Sequence, residues 1–335
     1  MFEDKKQDIS KLANISLAGT HAGLDNRIKQ IKFNWNTNGI KANGTFSYLA
    51  FQDNRPTQDE FINFIYYKII PFCLPRKYIK YCRDKLKETG NERWFHEPVD
   101  AAKQLFIKAK EKNVHSGEPG EVVLFTFLEG LLGAPRIVTK MNLKTNSNME
   151  VYGSDAIHMK YDDAQRCLTI YWGEAKLYSE LSNALEKIAE SIKNFRDKTH
   201  NSDSSQRDFD IQIIQNHHDL DSSDDETTQK ALLAFLDPYS EYYNDLKEVH
   251  ACLAIWNWNF YKELSNYPPD QAENIFKNKY LERIKTACNL FLNKIENKSL
   301  KAYRFHFFLL PISDIVEFRN QFCKKIGLPV KEAGE

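Results

Sequence analysis

Two acids and a lysine stand close together in the segment YGSDAIHMKYDDAQRCLTIYWGEAKLY, Tyr152 to Tyr178. Asp155 lies on one candidate strand, Val151 to Lys160, and Glu174-Ala175-Lys176 closes a second, Cys167 to Lys176. Between them Tyr161-Asp162-Asp163-Ala164-Gln165-Arg166 is polar and rich in aspartate, as turns are. Two carboxylates that converge repel each other unless positive charge sits between them. A hard divalent cation such as Mg²⁺ is the natural mediator, because it takes oxygen ligands and keeps several waters. A water activated in this way, with a nearby ammonium to stabilise charge on a phosphate, is the working set for phosphodiester hydrolysis. Lys176 is placed to supply that ammonium.

The hairpin has to position these groups. Cys167 to Trp172 is β-branched and aromatic, which suits a pleated, half-buried surface. Side chains alternate along a strand, so Trp172, Glu174 and Lys176 share a face. A turn centred on Asp163-Ala164 sets Asp155 opposite Trp172, with Glu174 a diagonal neighbour about 7–8 Å away. A slip of one residue would turn Asp155 to the other face. Glu-x-Lys also occurs at Glu3-Asp4-Lys5 and Glu296-Asn297-Lys298, so the tripeptide alone says little. The competing reading of Glu174 and Lys176 is an ordinary ion pair at a solvated strand end.

A third acid lies upstream. Ser116-Gly117-Glu118-Pro119-Gly120-Glu121 precedes the apolar run Val122 to Leu132. Pro119 fits a helix first turn, with Ser116 or Glu118 as its cap. The run is apolar nearly all round, which predicts a buried helix ended by Gly133 and Pro135. Glu121 lines up with Phe125, Leu128 and Leu132 and so points inward, while Glu129 flanks that face. An inward carboxylate needs a partner or a metal; a favourable charge at a helix N-terminus is the alternative. Arg136 to Leu143, with Lys140, reads as a strand, and Ser179 to Arg196 as an amphipathic helix.

The resulting order α-β-β-β-α, with Asp155 and Glu174-Ala175-Lys176 on successive strands, is similar to the core of the PD-(D/E)XK nuclease superfamily. More closely, SGEPGEVVLFTFLEGLL, GSDAIH and YWGEAKLY resemble the HamA family, the nuclease subunits of Hachiman anti-phage defence systems, over about Ile40 to Leu328. The resemblance implies a restriction-endonuclease-like α/β fold with a mixed sheet. It implies that Asp155 and Glu174 ligate Mg²⁺ or Mn²⁺ together with the Ala175 carbonyl, and that Glu121 helps hold this metal or a second one. It implies that Lys176 contacts the scissile phosphate and helps place or activate the water. His158 belongs to the matched segment, but on a strand it faces away from Asp155. The implied substrate is DNA, and the implied partner is the helicase HamB, which restrains the nuclease until phage-linked DNA damage or processing releases it. Two features depart from the pattern: Ser154 stands where the superfamily has its proline, and no Gln-x-x-x-Tyr follows Lys176. Two other functions stay open: a catalytically weak nucleic-acid-binding or scaffolding subunit, and a ribonuclease, since the attacked phosphate is alike in both nucleic acids.

The composition, 42% hydrophobic and 27% charged, is that of a globular chain, and no apolar stretch reaches the length of a membrane span. No signal peptide is visible at Met1-Phe2-Glu3-Asp4-Lys5, and six cysteines without a C-x-x-C pair read as reduced core residues, so a cytoplasmic protein is expected. With Lys plus Arg and Asp plus Glu both at 46, phosphate affinity has to come from local charge or from a partner. Arg76, Lys77, Lys80, Arg83, Lys85 and Lys87 form one basic stretch, readable as a phosphate-facing or a solvated helix face. No Gly-x-x-x-x-Gly-Lys-Ser/Thr loop is present, so no ATP motor is expected in this chain.

Residues 1–114 read as a largely helical N-terminal region, a possible partner interface or lid, and 115–335 as the nuclease core with a C-terminal sheet and helix extension. Weak strand signals lie at Ile28 to Trp35 and Gly44 to Phe51. Thr57-Gln58-Asp59-Glu60 reads as a capping box opening a helix to about Ile70, with further helices after Pro75 and over Val99 to Glu111. Val249 to Trp258 and Tyr303 to Pro311 read as interior strands, covered by helices at Pro269 to Ile295 and Ser313 to Ile326. Phe209 to Gln215 is ambiguous between helix and strand, His217-His218-Asp219 is a weak metal candidate, and Tyr239 to Tyr243 a weak stacking candidate.

Overall fold

The apolar runs around Val249 and Phe305 become the middle of one six-stranded sheet. The computed structural model describes residues 9–111, 119–144, 153–198, 203–220 and 226–330. In chain order the strands are β1 (Ile28–Ile31), β2 (Lys41–Leu49), the short β3 (Phe51–Gln52) and β4 (Arg55–Pro56), β5 (Ala156–Asp162), β6 (Cys167–Tyr178), β7 (Leu246–Asn257) and β8 (Arg304–Ile312). The helices are α1 (Gln58–Tyr66), α2 (Ile69–Cys73), α3 (Arg76–Thr89), α4 (Arg93–Glu111), α5 (Pro119–Gly130), α6 (Lys140–Lys144), α7 (Leu181–Arg196), α8 (Gln206–His217), α9 (Glu226–Leu236), α10 (Phe260–Glu263), α11 (Ala272–Asn297) and α12 (Ile315–Ile326).

The sheet runs β1-β2-β8-β7-β6-β5. Its four central strands, β2, β8, β7 and β6, are parallel, and an antiparallel strand closes each edge. Parallel strands are buried on both faces and so read as continuous apolar runs. Ala251 to Trp256 and Phe307 to Leu310 fit that rule, since both stretches are buried throughout. On one face Leu253, Ile255, Phe308 and Leu310 pack with α1, α2, α5 and α12. On the other, Cys252, Ala254, Trp256, Phe307 and Leu309 pack with α7 and α11. A third cluster covers the β5–β6 end, with Met159, Ile170 and Trp172 against Phe195, Ile214 and Phe235. The two weak N-terminal strand signals form β1 and β2, so residues 28–49 build part of the sheet that carries the acids.

Several local expectations are corrected. Arg136 to Leu143 is not a strand: Arg136 and Val138 make single bridges to His158 and His218, and α6 follows. The Arg136 side chain is drawn into a buried nest of the Pro71, Phe72 and Leu74 carbonyls and the Asp219 carboxylate, which turns this segment off the sheet edge. The capping box at Thr57 does not form; the Thr57 hydroxyl donates instead to the Ala50 carbonyl at 2.9 Å. Pro71 does not close the first helix either, because it sits in the first turn of α2, where a missing N–H has no helical partner to lose. Phe209 to Gln215 is helical, opened at Ser205 by a capping box with Asp208. Ser116, Glu118, Val151 and Tyr152 lie outside the described residues.

Candidate functional site

The site is built at the point where β5 begins beside β6. Ala156 pairs with Gly173, Ile157 with Trp172 and Asp162 with Cys167, so Asp155, just before β5, lies beside Gly173 and Glu174 and not opposite Trp172. The turn is centred one residue later than the sequence reading placed it. Asp162 Oδ1 accepts from the Gln165 N–H at 3.0 Å, and Arg166 takes a left-handed φ of 52° to re-enter the strand. The pairing shifts by two residues, and an even shift preserves the face. Asp155 and Glu174 line one cavity, as the sequence expectation of a shared site requires.

Two bonds fix Asp155. Its N–H donates to the Gly173 carbonyl at 2.8 Å, and its Oδ2 accepts from the Ala175 N–H at 3.0 Å. The N–H and C=O of one strand residue point to the same edge, so the Ala175 carbonyl also emerges beside Asp155. Lys176 Nζ lies 2.6 Å from Glu174 Oε1, with the two side chains only 26% and 12% exposed. That is not the solvated pair of a strand end. Burial and the neighbouring Asp155 charge push the Glu174 carboxyl up to about 7, against the pull of Lys176 and a hydrogen bond with Ser191. For Lys176, burial works downward, but Glu174 and Asp155 outweigh it and hold the ammonium above its ordinary value. Lys176 is therefore a fixed positive charge at neutral pH.

Glu121 approaches from the other side of the sheet. Glu174 aligns with Cys252, whose face packs on α7, whereas Ala175 and Leu177 face Gly120 on α5. Glu121 is buried at 5% exposure, as the helical spacing predicted. Asp155, at the strand end, lines cavities on both sides. One, of 240 Å³, is bounded by Gly173, Glu174, Lys176, Ser191 and His250. The other, of 510 Å³, is bounded by Glu121, Ala175, Lys176, Tyr178 and Arg319. Gly120 lets α5 lie against β6, since a Cβ there would run into Leu177 Cδ1. Leu177 is buried and would have to shift, so Gly120→Ala should cost about 1 kcal/mol in urea unfolding. An unchanged midpoint would mean that Leu177 turns aside freely.

Among the described residues no group of three His, Cys, Asp or Glu gathers tightly enough to hold an ion. The donors in place are two neighbouring carboxylates, Asp155 and Glu174, with Glu121 sharing cavities with Asp155 and not with Glu174. Two oxygen donors suit a hard cation that keeps most of its waters, as Mg²⁺ does, and not a zinc enclosed by four protein ligands.

Other singled-out residues serve the fold. His158 is fully buried, bonded through Nδ1 to the Ala134 carbonyl at 2.7 Å, and burial lowers it to about 4. Glu129 gathers the Ala18, Gly19 and Arg136 N–H groups and His21 Nε2; burial raises its carboxyl, but these partners hold it down at about 2. Asp219 binds the guanidinium groups of Arg76 and Arg136. Arg76 thus leaves the basic face of α3, on which Lys77, Lys80, Arg83 and Lys87 remain exposed. One group escaped the sequence reading: Lys140, Ser154 and Asp210, a buried cluster next to Asp155. Its only signal was an aspartate four residues before Ile214, both on the inner face of α8.

Fold and site define the class: an α/β protein with a mixed six-stranded sheet, carrying two carboxylates and a lysine where an antiparallel edge strand meets the parallel core. The HamA family model matches residues 25–326, a span that includes β1 to β8 and every site residue. The chain belongs to the HamA family and is a Hachiman defence-associated protein. No curated protein gives a match. Among the described residues no helix is long and apolar enough to cross a membrane.

Proposed function

We propose that this chain is a metal-dependent nuclease of the PD-(D/E)XK type, the DNA-cleaving effector of an anti-phage complex, restrained by the helicase HamB. The observation that carries the reading is that Asp155 and Glu174 border one cavity, with Lys176 paired to Glu174 at 2.6 Å. Asp155 Oδ2 is committed to the Ala175 N–H, so Oδ1 and the Glu174 carboxylate are the oxygens offered to Mg²⁺ or Mn²⁺, with the Ala175 carbonyl beside them. Glu121 borders the cavity on the other side of Asp155, away from Glu174, and would hold an outer water or a second ion. When bound, the cation supplies a nucleophilic water and neutralises charge on the phosphate. Lys176, held protonated, stays near the scissile phosphate as a fixed charge and does not act as the base. The 510 Å³ cavity on the Glu121 side is where a DNA backbone would reach these groups.

The test is degradation of plasmid DNA by the purified chain in Mg²⁺, alone and with the helicase, beside Asp155→Ala and beside an RNA of matched length. Cleavage of DNA that disappears in the variant and in chelator is expected, with a rate lowered when the helicase is bound. Intact DNA binding without cleavage in any condition would replace this reading with a binding subunit. Preferential cleavage of the RNA would make the chain a ribonuclease.

A further inference from the structure

We propose that the buried Lys140–Asp210 ion pair is a positioning device for Asp155. The inference rests on the nuclease reading and extends it to residues that touch neither substrate nor cation. Asp155 precedes β5, so on its own it has a single ladder bond, from its N–H to the Gly173 carbonyl. Its carboxylate is held by the Ala175 N–H, and the path of the chain that delivers it there is set by the residues just before it.

Those residues are clamped at successive peptide units. The peptide joining Gly153 to Ser154 is held by the Ser154 N–H, which donates to Asp210 Oδ2 at 3.0 Å. The peptide joining Ser154 to Asp155 is held at both ends: Lys140 Nζ donates to the Ser154 carbonyl at 2.6 Å, and the Asp155 N–H donates to Gly173 at 2.8 Å. The Ser154 hydroxyl adds a bond to Asp210 Oδ2 at 2.6 Å, and Lys140 closes the cluster on Asp210 Oδ1 at 2.6 Å. With two consecutive peptide planes fixed, the Asp155 side chain has little freedom left in where it starts. Gly153 makes the approach possible. It has a φ of +112°, and a Cβ there would meet the Asp210 carboxylate at 2.6–2.8 Å.

Stability alone does not account for this arrangement. Asp210 is fully buried and Lys140 nearly so. A buried ion pair is often no more stabilising than a well-packed apolar pair of the same volume. What charges supply here is direction: bonds of fixed geometry to backbone groups flanking a functional carboxylate. Groups that orient a metal ligand in this way typically change metal affinity or activity by about 10–100-fold when removed.

The experiment compares the full-length wild type with three variants. Lys140→Met with Asp210→Ala removes the clamp without stranding a charge. Lys140→Met with Asp210→Asn returns an acceptor to the Ser154 N–H. Ser154→Ala removes both hydroxyl bonds, to Asp210 at 2.6 Å and from Lys140 Nζ at 3.3 Å, and leaves the two backbone bonds. Mn²⁺ binding is read by electron paramagnetic resonance of the free ion, alongside thermal melting and DNA cleavage. The first variant should melt cooperatively yet bind Mn²⁺ about 10–100-fold more weakly. The asparagine variant should recover most of that loss. Wild-type Mn²⁺ affinity in a folded first variant, or an activity loss that follows only the melting temperature, would overturn the proposal and leave the nuclease reading standing. Should the first variant fail to fold, Ser154→Ala decides: several-fold weaker Mn²⁺ binding supports the clamp, and unchanged binding overturns it. A wild type that neither binds Mn²⁺ nor cleaves removes the nuclease reading and this inference with it.

Discussion

Glu174→Gln should lower Mg²⁺-dependent DNA cleavage on the order of a thousandfold while the chain stays folded. The substitution keeps the shape of the side chain and removes the charge that Asp155 and Lys176 both face. A pH signature distinguishes this from a general loss of structure. In the folded, metal-free chain the Glu174 carboxyl is raised from 4.5 to about 7, by burial and then by Asp155. A raised carboxyl contributes stability that is present below its unfolded value and is lost as pH rises through its folded value. Wild type should therefore lose stability relative to Glu174→Gln between about pH 4.5 and 7. Lys176 titrates above this window and leaves it unchanged. Mg²⁺ should restore the lost stability at pH 8 in wild type and not in Glu174→Gln, because only wild type regains a bound counter-charge. Melting curves at pH 5, 6.5 and 8, with and without Mg²⁺, check this. A Mg²⁺ response equal in both proteins would take Glu174 out of the metal site.

Much of this site was legible because it is local. The hairpin, the shared face of Glu174 and Lys176, the inward Glu121 and the apolar central strands all follow from period and composition within short windows. The register was misjudged because it depends on one Asx hydrogen bond at Asp162 and one left-handed residue, Arg166, neither of which composition reveals. It did little harm to the site reading, since the error was even and side chains alternate. The segment after Pro135 was misjudged for another reason. Its apolar alternation is that of a strand, but Arg136 takes partners more than sixty residues away in sequence. The clamp on Ser154 is equally non-local, joining α6, the β5 entry and α8. It also bears on the departure noted in the sequence. Where the superfamily has a proline, this chain has a residue whose N–H and hydroxyl are both used by Asp210. Proline there would lose the first of those bonds, the Ser154 N–H to Asp210.

The largest effect on stability is expected from Asp219→Ala. Asp219 stands in a His-His-Asp run that could suggest a metal site, but it is the shared anion of two buried guanidinium groups. Its carboxylate takes Arg136 Nη2, the Arg76 N–H at 2.9 Å and the Thr139 hydroxyl at 3.1 Å, and its own carbonyl accepts from Arg76. The side chains of Arg76 and Arg136 are 6% and 3% exposed. Taking one partner from a buried ion pair leaves an uncompensated charge and typically costs about 3–5 kcal/mol. Arg136 keeps the Pro71, Phe72 and Leu74 carbonyls and Arg76 keeps the Ser16 carbonyl, which places the expected loss near the lower end, about 3 kcal/mol. The consequence reaches the site, because the same bonds tie α2 and α3 to the segment that leads into Lys140. Urea unfolding should show a lower midpoint, and cleavage should fall at 37 °C but return toward wild type at low temperature, where the folded fraction recovers. Asp219→Asn, which keeps an acceptor while losing the charge, should lie between the two. Equal stability of Asp219→Ala and wild type would mean that the retained carbonyls alone hold both guanidinium groups, and that Asp219 contributes geometry without net free energy.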